Sequence, residues 1–160
     1  MHSDDPIDTL IKQHEEAIEL LGRIEEAVAS IHDSGFSAKA FAQIADAVEL
    51  IGLKVRQHCE KEEQYLFPLL EGHVKDAPGR LRIERREIWH AFNDLVGSVK
   101  DVEDGRIHGT TMRELIQLAH IVVERFKSHI EKENTMLFPM AKRLLTSEDY
   151  ELLRKEILTA

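Results

Sequence analysis

At 160 residues, 42% hydrophobic and 32% charged, the chain reads as one soluble domain over residues 1–160 with a real core. A formal charge of −9 argues against nucleic acid, whose phosphates need a basic face. No run approaches the roughly 18 apolar residues of a membrane span, no leader is apparent, and the lone Cys59 fits a reducing compartment, so no membrane association and a cytoplasmic setting are expected.

Leu, Ile, Ala and Glu are plentiful while Gly, Pro and aromatics are sparse, which favours helix over sheet. Asp5-Pro6-Ile7-Asp8 signals a helix start. Ile7, Leu10, Ile11, Ile18, Leu21, Ile24, Val28 and Ile31 then form a stripe of helical period, predicting a first helix over about 6–31. His14 falls on that stripe. A second helix starts near Ser37 and turns Phe41, Ile44, Val48, Ile51, Val55, His58, Glu62, Tyr65 and Leu66 inward. Pro68 should kink or finish it, and residues 71–79 read as a loop with Ala77-Pro78-Gly79 as its turn.

A third helix is expected over about 80–103, with Leu81, Ile83 or Glu84, Ile88, Leu95, Val99 and Val102 inward and His90 near the stripe. A fourth opens at Thr110 or Thr111, where Thr111 and Glu114 fit a capping box. Its inner line is Leu115, Leu118, Val122, Phe126, His129, Glu133, Met136 and Leu137, and Pro139 marks its end or a kink. Ser147-Glu148-Asp149 can cap a short final helix. The fold class expected is all-α: an antiparallel up-down-up-down four-helix bundle with a short C-terminal helix.

Two segments repeat. His58-Cys59-Glu60-Lys61-Glu62 runs on to Leu66-Phe67-Pro68, and His129-Ile130-Glu131-Lys132-Glu133 runs on to Leu137-Phe138-Pro139, 71 residues later. Such duplication is hard to attribute to chance. His and Glu four residues apart share a helix face, and here that face should be dry. Of the nine histidines, four join the two glutamates in one layer: His14, His58, Glu62, His90, His129 and Glu133. Burying these groups unpaired would cost several kcal/mol per charge. A pair of cations would remove that cost, and mixed nitrogen and oxygen donors suit iron, manganese or zinc. Glu87 is a possible extra ligand, and Tyr65 shares a face with Glu62. His2, His32, His73, His108 and His120 read as termini, loops or other faces.

These residues give the chain a resemblance to the hemerythrin family, in its bacterial HHE cation-binding branch, over roughly residues 7–142. The resemblance implies a four-helix bundle around two iron ions with carboxylate and oxo or hydroxo bridges. The ligands it implies are His14, His58, Glu62, His90, His129 and Glu133. Oxygen carriers of the family have two third-helix histidines four residues apart, whereas Arg86 and Asp94 stand at those distances from His90 here. The function implied is binding or sensing of oxygen or iron. The alternative is a di-iron enzyme in peroxide or nitric oxide defence, or iron-centre repair. Partners are small ligands such as oxygen, peroxide or nitric oxide; the assembly state is not legible.

Overall fold

The computed structural model describes residues 5–158 and is helical almost throughout, with no strand among the described residues. Helix α1 spans Pro6–Ser34. Asp5 caps it by accepting from the Ile7 amide at 2.8 Å, and Pro6 occupies the first turn, where its missing N–H costs nothing. Gly35, at φ +85°, ends it by donating to the Ile31 carbonyl.

Helix α2 is one rod made of consecutive segments. Ala38–Leu50, Arg56–Lys61 and Phe67–Glu71 are α-helical, and Ile51–Val55 and Glu62–Leu66 between them are wider π-type turns. Ser37 caps its start by accepting from the Ala40 amide. Helix α3 is Asp76–Glu103. Helix α4 joins Gly109–Lys132, a π-type turn at Glu133–Leu137, and Phe138–Leu144; helix α5 is Ser147–Leu158.

Two boundaries differ from the sequence expectation. Helix α3 begins at Asp76 rather than about residue 80, because Pro78 lies in its first turn, where amides lack intrahelical partners anyway. Helix α4 is capped by His108, whose amide donates to Thr111 Oγ1 at 3.1 Å, in place of the expected Thr111/Glu114 box.

The prolines do not end their helices at once: helical turns continue to Glu71 and Leu144. Pro68 cannot donate to the ladder, so the turn before it widens, and the Phe67 amide reaches back five residues to the Glu62 carbonyl. Phe138 does the same to Glu133 ahead of Pro139. Each repeated motif thus carries a π-type turn that starts at its glutamate.

Helix α1 packs on α2, α3 on α4, and α1 on α4, with α5 lying across α1. Short connections make sequential helices antiparallel, giving the expected bundle. Ile18, Ile83 and Met136 fall outside the buried face; Ala17 and Leu137 do the packing beside the first and last of them. The apolar interior is in two parts. One cluster holds Ala17, Val55, Ile88, Phe126 and Ile130 and continues along the bundle. The other holds Leu10, Leu66, Phe67, Leu81, Leu137 and Phe138 and is closed by Leu153 and Ile157 of α5. One turn of each long helix separates the clusters, and that turn is polar.

Candidate metal centre

Into this layer α1 sends His14, α2 sends His58 and Glu62, and α4 sends Glu133. Each offers a donor atom, and these atoms lie within 4.8 Å of one another, all on buried residues. His58 Nε2 is 2.8 Å from Glu62 Oε1, and His14 Nε2 is 2.9 Å from Glu133 Oε1. The outer face of each ring is anchored. His58 Nδ1 donates to Gln13 Oε1 and His14 Nδ1 to Asn134 Oδ1, both at 2.7 Å. With the proton committed to Nδ1, the lone pair on each Nε2 points inward, which is how ligating histidines are held.

His129 lies in the same layer but is already engaged. Its Nδ1 donates to Glu84 Oε1 at 3.0 Å, and its Nε2 accepts from Arg85 Nε at 3.1 Å. His90 is not brought in: it is exposed on α3. It follows Ile88 by two residues, about 200° around the helix, so it faces away when Ile88 is buried. The α3 residue in the layer is Arg85, 2% exposed. Its guanidinium donates to both Glu62 and Glu133, to His129, and through Nη1 to the Cys59 carbonyl at 3.0 Å. Glu87 is exposed, and Tyr65 packs half-buried against the second cluster. His32, His108 and His120 are exposed, His73 faces Asp149 at 3.3 Å, and His2 lies outside the described residues.

The hemerythrin HHE cation binding domain matches residues 5–154. The chain belongs to the hemerythrin HHE cation-binding family. No curated protein gives a significant match.

This hemerythrin domain fits a cation at the His14, His58, Glu62 and Glu133 cluster on its own geometry. His58 Nε2 and Glu62 Oε2 are buried without a hydrogen-bond partner. His58 Nε2 lies 2.8 Å from Glu62 Oε1 while its Nδ1 is bonded to Gln13. A cation held between nitrogen and carboxylate would satisfy both. Electrostatics agree. Burial opposes charge on His14, yet the Glu133 carboxylate outweighs it and the imidazole is more basic than usual. Burial likewise opposes charge on Glu133, but Arg85, His129 and His14 hold its carboxyl well below the ordinary range. The layer therefore keeps its carboxylate ionised and attracts positive charge. Burial pushes the Cys59 thiol up, leaving it inert beside the site.

A cavity of about 190 Å³ adjoins the cluster in the hemerythrin domain. His14, His58, His129 and Glu133 line it with Ala17 and Phe126, and it reaches solvent past Lys54 and Gln57. It lies among α1, α2 and α4, with no α3 residue in its wall, so Arg85 backs the site on the far side. At about 30 Å³ per water it admits several waters or a small molecule.

Proposed function

We propose that this hemerythrin-type protein binds iron at His14, His58, Glu62 and Glu133 and uses the adjoining cavity to bind or sense a small ligand such as oxygen or nitric oxide. The observation that carries this is the convergence of two imidazoles and two carboxylates, all on buried residues, in a layer walled by apolar clusters. Iron there supplies a Lewis-acidic, redox-active centre. Two nitrogen and two oxygen donors suit it, and leave coordination positions for a ligand. The chain's own residues orient the donors through Gln13 and Asn134, keep Glu133 ionised, and line a small approach from solvent.

Turnover of peroxide or nitric oxide would need a proton source beside the ligand. Neither Tyr65 nor Glu87 lines the cavity; Glu16 and Lys61 do. The test is anaerobic reconstitution with ferrous iron, followed by metal analysis and an optical spectrum before and after air or nitric oxide. Bound iron with a reversible spectral change supports the reading. Iron that does not bind, or a spectrum blind to both gases, overturns it.

A further inference from the structure

The two halves of the bundle are related by the offset that relates the repeated motifs. His58 corresponds to His129 and Glu62 to Glu133; the same 71 residues carry Leu10 to Leu81, Gln13 to Glu84 and Glu63 to Asn134. They also carry His14 to Arg85. The contacts follow this correspondence. Gln13 accepts from His58, and Glu84 accepts from His129. His14 stacks on Phe138 at 5.1 Å between ring centres, and the Arg85 guanidinium lies 4.6 Å over Phe67, the counterpart phenylalanine. His14 points to Glu133 and to Asn134; Arg85 points to Glu62 and, at 3.5 Å, to Glu63. Where the first half offers an imidazole lone pair, the second offers a fork of N–H donors.

We propose that the centre holds one metal ion per chain and that the Arg85 guanidinium is its built-in second cation. The inference rests on the reading of His14, His58, Glu62 and Glu133 as metal ligands. Arg85 occupies the inward lone pair of His129 and an oxygen of each glutamate, the donors a second ion would need. Guanidinium does not give up its proton in proteins, so these donors cannot be freed by titration. Charge points the same way. Glu62 and Glu133 bring two negative charges and Arg85 one positive. A single divalent ion leaves the buried group one charge positive; two would leave three, on side chains that are all buried. His90, which a second ion would need to replace the lost donor, faces the opposite side of α3.

The test counts bound metal. Wild type, Arg85→Lys and Arg85→His are titrated anaerobically with ferrous iron, freed of excess by gel filtration and analysed for metal per chain. Expected are one ion in wild type, one in Arg85→Lys, which keeps the charge, and two in Arg85→His, which gives the second half the donors of the first. Circular dichroism confirms that each variant is folded; should Arg85→His not fold, the wild-type count and Arg85→Lys decide. Two ions in wild type overturn the inference but leave the metal site standing. One ion in folded Arg85→His also overturns it, since the arginine would not be what limits the count. No metal in any variant removes the reading beneath it.

Discussion

Half of this bundle, α1 with α2, and its partner half, α3 with α4, carry the same scaffold to opposite electrostatic ends. In the first, His14 on α1 turns an imidazole nitrogen to Glu133 at 2.9 Å. In the second, the matching arginine fills that place with a positive charge that cannot leave. Both satisfy the same physical demand, since two carboxylates buried to 0% and 1% exposure require cations. One half meets it by inviting an ion, the other by supplying one covalently. A single residue type at one stripe position is enough to make the difference.

That contrast can be broken most forcefully at its pivot. Arg85→Met should cost about 3–5 kcal/mol of stability, the range for stripping a buried carboxylate of its partner, read by chemical denaturation without metal. The matching change, His14→Ala, should cost distinctly less, because Glu133 keeps Arg85. Equal costs would mean the guanidinium is not the resident cation. The paired histidines come next: His58→Ala should abolish metal binding, whereas His129→Ala should retain it, as equilibrium dialysis will show. Loss of metal in both would return the two halves to equivalence.

The outer acceptors sharpen the same comparison on a smaller scale. Gln13→Ala should weaken metal affinity about 10–100-fold, the usual effect of removing a partner that orients a ligating histidine. Glu84→Ala should leave affinity within about 3-fold and cost on the order of 1 kcal/mol from its bonds to His129 and Lys132. Least of all, His90→Ala should change neither metal content nor stability beyond about 0.5 kcal/mol; loss of metal there would reinstate the six-residue set.

The bundle was legible because each long helix writes its buried face as apolar residues three and four apart. The duplicated His-x-x-x-Glu stood out for the same reason, as charge on a stripe that should be dry. Arg85 left that signal too, between Leu81 and Ile88 in phase with both, and it precedes His129 by the 44 residues that separate His14 from His58. His90 is the histidine nearest the α3 stripe, but its phase carries it to the exposed side while Arg85 is buried. Gln13, Glu84 and Asn134 were not legible. A polar side chain at the edge of a helix face looks like any solvated residue until the neighbouring helix brings a ring nitrogen to it. The π-type turns at Glu62–Leu66 and Glu133–Leu137 were half legible, since Pro68 and Pro139 announce a disturbed ladder but not that the helix survives it; nothing in the sequence marks the one at Ile51–Val55.

The most direct measurement is an anomalous-scattering map, at the iron edge, of crystals grown with excess ferrous iron. A single peak among His14 Nε2, His58 Nε2, Glu62 and Glu133, with Arg85 still bonded to His129, is the predicted result. A second peak against His129 Nε2, with the guanidinium swung out of the layer, would contradict the account.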